Sequence, residues 1–296
     1  ILFLLYINDI HNAIPDNRPT IKLFADDTNL FVSGKDPVEL NNKTNCIDQL
    51  SNWFIANKLI LSIDKTSYSV FGNNAGDFEF QISVKNQILR EVKSCKYLGI
   101  FIDSNLNWQD HIDYLCNKLI KFTGIFYKIR NILPSQLLKT IYYAFVHSLL
   151  IYGIEIYGNT YESHLNKLII MNNKLLRIIQ NKSLSTHIGD LYNNFNTLQL
   201  PVLFKYQLLL FAHKCNHHKD QLPSIFSSFF MDNKSVHNYN TRNKDDIHIF
   251  STHSSIGSRS LKFKVSLMWN NLPEYLKQLG STKPFKTKLK TYLRDA

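Results

Sequence analysis

At 296 residues, with 44% hydrophobic and 19% charged residues, the chain can bury a sizeable core and is too apolar for wholesale disorder. It carries 34 Lys and Arg against 23 Asp and Glu, a formal charge of +11, which favours a polyanionic partner over a merely solubilising surface. The four cysteines, Cys46, Cys95, Cys116 and Cys215, form no Cys-x-x-Cys pair; this argues against structural zinc and for free thiols in a reducing, intracellular compartment.

The apolar opening, Ile1 to Ile7, is far shorter than the ~20 residues that span a bilayer. It has no basic leader or cleavage site. Residues 1–10 predict the end of a helix packed under a sheet. Pro15, Asp16, Asn17 and Pro19 mark a loop. Two strand-like runs follow, residues 21–25 and 28–32, and between them stand Asp26 and Asp27. Side chains alternate along a strand, so adjacent acids point different ways. Carboxylates held together on a hairpin repel unless a cation screens them. Hard oxygen donors suit Mg²⁺, with substrate phosphates completing its shell.

Asp36-Pro37 predicts a helix start. The helix carries Leu40, Ile47, Leu50, Trp53 and Phe54 at helical spacing. Tyr68, Val70 and Phe71 predict a strand, and Phe78, Phe80, Ile82 and Val84 alternate like a half-buried one. An Asn- and Gly-rich turn, residues 72–76, joins the two. Residues 97–102 read as a further strand with Gly99 inside it, a position where another backbone or a ligand approaches closely.

From about Asn107 the apolar period lengthens to about 3.6 residues. One stripe runs through Trp108, Ile112, Leu115, Leu119, Phe122, Phe126 and Ile129. After Pro134-Ser135 a second follows: Leu138, Ile141, Tyr142, Phe145 and Leu149. A third takes Leu165, Leu168, Ile169, Leu175, Leu176 and Ile179. Three amphipathic helices with short connections predict a bundle. Leu200-Pro201 opens another helical stretch, to about His218. Residues 231–258 are polar and predict a long loop. Leu261, Phe263, Val265 and Leu267 alternate with polar neighbours, and Trp269 to Leu272 runs into Pro273. Residues 284–294 place Phe285, Leu289 and Leu293 on one helical face and lysines on the other, a basic face with RNA among its candidate partners. Cys215, His217 and His218 lack a second ligand pair at finger spacing. No Gly-x-Ser-x-Gly, Walker or His-Glu-x-x-His motif is present, so hydrolase and P-loop chemistry are unsupported.

The stretch Leu23-Phe24-Ala25-Asp26-Asp27-Thr28 resembles the catalytic motif of reverse transcriptases of non-LTR retrotransposons, especially the jockey-like group. Residues 2–10 look like the helix after the family's Pro-Gln-Gly-Ser segment. Residues 57–66, ending in Asp64-Lys65-Thr66, look like its lysine-bearing motif. Lys96-Tyr97-Leu98-Gly99-Ile100-Phe101-Ile102-Asp103 is similar to its primer-grip hairpin. Leu149-Leu150-Ile151-Tyr152-Gly153 and Trp269-Asn270-Asn271-Leu272-Pro273 resemble later landmarks, and the order holds over nearly the whole chain.

The resemblance implies an α+β fold. Residues 1–104 would be a partial polymerase palm, an antiparallel sheet with helices. Residues 105–182 would be a helical thumb, 183–230 a helical extension, 231–258 a polar loop and 259–296 a basic C-terminal segment. It implies an RNA-directed DNA polymerase with two Mg²⁺ ions, or Mn²⁺, held by Asp26 and Asp27, the first bridging both. Lys65 would stand near the triphosphate. Tyr97, Leu98 and Gly99 would grip the primer, while Lys118, Lys121, Lys128 and Arg130 track phosphates. The implied partners are an RNA template, a DNA primer and deoxynucleoside triphosphates. The implied setting is nucleus and cytoplasm, with no membrane. In the family the fingers, the first catalytic carboxylate and an endonuclease lie upstream of these motifs, so this chain alone is expected not to polymerise. The alternative reading is a catalytically dead remnant that at most binds nucleic acid through thumb and tail. Oligomeric state is not encoded in any of these motifs.

Overall fold

The computed structural model describes residues 2–14, 19–72, 81–226, 228–237 and 243–295. The chain divides into two compact units, Ile1–Leu106 and Asn107–Ala296.

The first unit opens with α1 (Leu2–Tyr6), whose five residues are all exposed, Leu2 at 84%. The helix therefore does not pack under a sheet. Its apolar residues are consecutive, so no single face gathers them. Burial begins beyond it, where Ile10 and Ile14 join Cys46 and Leu50 in a small core. The hairpin β1 (Thr20–Phe24) and β2 (Asp27–Phe31) is antiparallel, with Phe24 opposite Asp27. Asp36 starts α2 (Pro37–Thr44): its Oδ1 accepts the Glu39 N–H at 2.7 Å. The helix expected to continue from there breaks at Asn45 and resumes as α3 (Cys46–Ala56).

Six short strands follow: β3 (Ser67–Tyr68), β4 (Ser83–Val84), β5 (Gln87–Ile88), β6 (Arg90–Glu91), β7 (Ser94–Tyr97) and β8 (Ile100–Asp103). Among the described residues the strands make four two-stranded ladders, β1–β2, β3–β6, β4–β5 and β7–β8, and only β3–β6 is parallel. Ile82 and Val84 are buried with Leu89, as their alternation predicts. Pro15, Asp16 and Asn17, Phe78, Phe80 and most of the turn between 72 and 76 lie outside the described residues.

The second unit is helical: α4 (Gln109–Ile129), α5 (Ser135–Ile141), α6 (Ser148–Ile151), α7 (Ile154–Tyr157), α8 (Glu162–Ile179), α9 (Ile188–Phe195), α10 (Leu200–His217), α11 (Asn233–Val236), α12 (Ser255–Ser258), α13 (Leu261–Asn270), α14 (Glu274–Lys277) and α15 (Thr282–Asp295). The α4 stripe is buried at Ile112, Leu115, Leu119 and Phe126. Helices α4 and α8 run parallel. Near their starts Lys167 Nζ lies 3.3 Å from Asp113 Oδ1, and past their ends Asn181 Nδ2 donates to Asn131 Oδ1 at 3.2 Å.

The second stripe is shifted. A π-helical turn, Tyr142–His147, joins α5 to α6. It underwinds the helix, so the core residues recur every fourth position, Leu138, Tyr142, Val146, Leu150 and Ile154, and Phe145 is left 56% exposed. Polar groups are buried beside this turn. Tyr142 Oη donates to Asn172 Oδ1 at 3.2 Å, Asn172 Nδ2 donates to Tyr192 Oη at 3.0 Å, and Tyr192 Oη donates to Asn173 Oδ1 at 2.7 Å. The network links the π turn, α8 and α9. Burial raises both phenols, that of Tyr192 to about 12.

Residues 261–267 are helical despite their alternation. Ser260 caps α13, accepting the Phe263 N–H at 3.3 Å, and the helix buries Val265, Ser266 and Trp269. The polar stretch before it is tied to the core through Ile247, which is 3% exposed. Its backbone exchanges two hydrogen bonds with the Asn270 side chain, at 2.9 and 2.8 Å. Helix α10 packs against α13 and α15, which contributes fully buried Phe285 and Leu289. Among the described residues no helix is long and apolar enough to cross a membrane.

Two predictions follow from this packing. Asn172→Leu strips both tyrosines of their shared partner and should cost about 1–3 kcal/mol, read as a lower urea midpoint. Burial holds His111 at about 4, and burial with Lys290 nearby does the same for His147. Both values lie below the ordinary histidine value of about 6.5, so the unfolded chain takes up these protons first. Stability is then full above about pH 6.5 and falls as pH drops towards 4, which urea midpoints measured across that range will show.

Candidate functional site

Phe24 and Asp27 pair across the first hairpin, so Ala25 and Asp26 are its two turn residues. Ala25 adopts φ 51°, a left-handed conformation that costs a non-glycine residue about 1–2 kcal/mol. Asp26 sits at the tip and Asp27 at the first strand position, both exposed. Among the described residues neither carboxylate has an ion-pair or hydrogen-bond partner. Two free adjacent carboxylates are the hard oxygen donors that fit a divalent cation. No third His, Cys, Asp or Glu joins them in a metal-holding group among the described residues.

The β7–β8 hairpin also closes through a two-residue turn. Tyr97 pairs with Ile100, so Leu98 and Gly99 form the turn, at φ 45° and 86°. Gly99 thus lies at a tight reversal and not inside a strand; the apolar run from Tyr97 to Ile102 crosses the turn. Two positive φ values in succession are those of a type I′ hairpin turn, whereas the first hairpin has positive φ at Ala25 alone. Tyr97 is half-buried and meets the Phe31 ring edge-on, centroids 6.0 Å apart. The end of β2 is therefore in contact with the end of β7, which couples the acid-bearing hairpin to the second one. Lys65 is exposed at the end of a 3-10 turn, Ile63–Lys65, and its ammonium has no ion pair among the described residues.

In the second unit, the C-terminal ends of α4 and α8 border a groove of about 610 Å³. Lys128 and Arg130 from the first helix face Lys174, Arg177 and Lys182 from the second, with no acid among the lining residues. Each helix end carries about −0.5 charge. Five cations against roughly −1 leave the groove strongly positive, so balancing the dipoles does not account for them. Arg130 stacks 4.3 Å from the Tyr127 ring centroid, and the Nε atoms of Arg130 and Arg177 are buried without a hydrogen-bond partner. An anion in the groove would supply acceptors. Of the four cations expected to track phosphates, Lys128 and Arg130 line the groove. Lys118 instead lies over Tyr114, 5.4 Å from the ring, and Lys121 is exposed elsewhere on α4. Lys174, Arg177 and Lys182 were not legible in the sequence, because only the parallel pairing brings them opposite Lys128.

The histidines around Cys215 have structural partners. His213, His217 and His218 place a ring nitrogen 2.6 Å from Leu279 O, 2.9 Å from Lys277 O and 3.1 Å from Thr282 Oγ1 respectively. They fasten the end of α10 to the segment leading into α15. Cys215 is buried, which pushes its thiol up to about 11.

No protein-family model matches the chain, and no solved structure matches it. Two curated proteins do. The RNA-directed DNA polymerase from mobile element jockey of Drosophila melanogaster is 25% identical over 188 residues, and that of Drosophila funebris is 24% identical over 188 residues. The chain is distantly similar to the jockey polymerases. The alignments take in 60% of this chain, which spans 20% of the length of the curated relatives it matches. At this distance the similarity assigns no individual residue a role, and each stands on its own geometry. Gly99→Ala places a Cβ at φ 86° and should lower the urea midpoint by about 1–2 kcal/mol equivalent, whereas Leu98→Gly relieves strain at φ 45° and should not lower it.

Proposed function

We propose that the chain is part of the RNA-directed DNA polymerase of a jockey-like non-LTR retrotransposon, copying an RNA template from a DNA primer with deoxynucleoside triphosphates. The observation that carries this reading is Asp26-Asp27, unpaired on a strained hairpin turn in a chain of jockey kinship. In this reading residues 1–104 belong to a polymerase palm and residues 105–182 to its thumb. Asp26 and Asp27 hold Mg²⁺, or Mn²⁺, which when bound supplies positive charge to the reacting phosphates and lowers the pKa of the primer 3′-hydroxyl. The turn fixes one carboxylate at the tip and the other on the strand, so they present oxygens without a large reorganisation. Lys65 offsets charge on the leaving pyrophosphate. The Leu98-Gly99 turn lets backbone approach the primer closely, with Tyr97 behind it.

This chain alone is proposed to be inactive. Removing one carboxylate from a two-metal site forfeits several kcal/mol of transition-state stabilisation, and the described residues offer two. Purified chain should give no sustained Mg²⁺-dependent primer extension. In a longer protein that includes a third carboxylate, Asp26→Asn should lower turnover at least about 100-fold, or about 2.7 kcal/mol, with primer binding retained. Extension by the present chain, or an active Asp26→Asn enzyme, would sink the reading.

The second reading, a nucleic-acid-binding remnant without catalysis, is favoured by the groove between α4 and α8, which does not depend on the acids. Five phosphate contacts predict a salt slope of about −3 to −4 on single strands. Lys128→Gln with Lys174→Gln should reduce that slope by about 1–2.

A further inference from the structure

One side of the seam between α4 and α8 is open. The Lys167–Asp113 and Asn181–Asn131 contacts mark its two ends, about 21 Å apart along α8. Between those ends Ile120, Gly124 and Tyr127 recur on α4 at spacings of four and three, in line with Asp113 and Asn131. Ile170, Lys174 and Ile178 recur on α8 at spacings of four, in line with Lys167 and Asn181. Each stripe therefore borders the same side of the seam. Ile120, Tyr127 and Ile170 are each more than half exposed, as is Leu184 just past the end of α8. A Cβ at Gly124 would meet nothing within 4 Å beyond its own helix, so the seam is open at its middle. It runs into the groove, where Tyr127, Ile178 and Leu184 stand among the five cations.

Single exposed apolar residues are ordinary on a protein surface. Here they align at helical spacing on two neighbouring helices and lead into a concentration of positive charge, so an occupant must satisfy both features. A phosphodiester backbone would neutralise the cations and leave Ile120 and Ile170 in water. A second copy of this chain would cover the isoleucines and bring no free acid: the one acid on the two stripes, Asp113, is already paired with Lys167. An amphipathic helix with carboxylates towards one end matches both. Apolar side chains at its i, i+3, i+4 and i+7 positions would lie in the seam. Its carboxylates would reach Lys128, Arg130, Lys174, Arg177 and Lys182, the two guanidiniums each offering a paired donor edge.

We propose that the α4–α8 seam is a docking groove for an acidic amphipathic helix of a partner protein. Apolar burial along the seam supplies affinity, and the cations at its end select an acidic partner and fix which way it lies. The surface does not involve the acid pair of the first hairpin, so it is independent of whether the chain belongs to an active polymerase.

The test is fluorescence anisotropy of the full chain with a labelled synthetic helix of about 18 residues, long enough to span the seam, with leucines on one face and glutamates on the other. A scrambled peptide of the same composition and a labelled single-stranded RNA are the comparisons. The amphipathic peptide should bind at least about tenfold more tightly than the scramble. Ile120→Ser with Ile170→Ser should weaken it by about tenfold or more at every salt concentration, because buried apolar area is lost. Lys128→Gln with Lys174→Gln should weaken it at low salt and less as salt rises. Gly124→Leu should also weaken it, by filling the seam; leucine is a better helix former than glycine, so its melting temperature should not fall and misfolding does not account for the loss. Equal binding of peptide and scramble, or full binding in the isoleucine variant, overturns the proposal. RNA binding that depends on Lys128 and Lys174, with no binding of the peptide, overturns it and leaves the groove to a nucleic-acid backbone. Self-association in sedimentation velocity that Ile120→Ser with Ile170→Ser abolishes assigns the seam to a second copy and overturns it as well.

Discussion

The parallel pairing of α4 and α8 is the constraint on which the second unit depends. Antiparallel neighbours cancel their dipoles end against end, but parallel neighbours add them. Two C-termini side by side concentrate about one negative charge at one end of the pair. The Lys167–Asp113 contact at one end and the Asn181–Asn131 contact at the other mark that alignment, and the buried core that the two helices share holds it. Parallel helices also need a return path. The chain makes it through α5, the π turn, α6 and α7, and these segments supply much of the core that covers the pair. The groove and its cations are a consequence of this topology.

The return path is where the packing is most specific. A regular helix from residue 135 to 151 would rotate its apolar face by about 40° for every four residues. The π turn removes that drift, so Tyr142, Val146 and Leu150 stay on one line. The inserted residue brings Tyr142 Oη to Asn172, and the hydroxyl of Tyr192 completes the set. Apolar side chains of similar volume would fill the same space with many arrangements. The chain of hydrogen bonds admits one, because any shift leaves a buried polar atom unpaired.

Much of this was legible in the sequence, and the failures have physical causes. The α4 and α8 stripes were readable because long helices average their period over many residues. Residues 261–267 alternate in sequence yet form a helix, because a helix with apolar residues on more than one side also shows alternation and Ser260 caps its start. Phe145 misled because a π turn leaves no mark in spacing. Asp26, Asp27 and the two groove residues on α4 could be named from motif and charge. The partners on α8 could not, since helix direction is set by the connection and not by composition. The leading apolar run was read as core, yet consecutive hydrophobic residues in a five-residue helix define no face and remain exposed.

The first unit is built from small parts, and this bears on how the two acids are held. Isolated two-stranded ladders are marginal in water. Each of the two hairpins carries a non-glycine residue at positive φ, Ala25 in one and Leu98 in the other, which lowers their independent stability further. The Phe31–Tyr97 contact joins them, and a ring pair of this kind is worth about 0.5–1.5 kcal/mol beyond its buried area. That is comparable to the strain in either turn. The position of Asp26 and Asp27 is therefore a property of both hairpins together: loosening the Leu98-Gly99 turn loosens Tyr97, and through Phe31 the strand that carries the acids. Strain at a turn that bears free carboxylates is retained only where neighbouring structure enforces it. Here the enforcing neighbour is the other hairpin, which places the conformation of the acid pair and that of the Tyr97–Gly99 turn under one constraint.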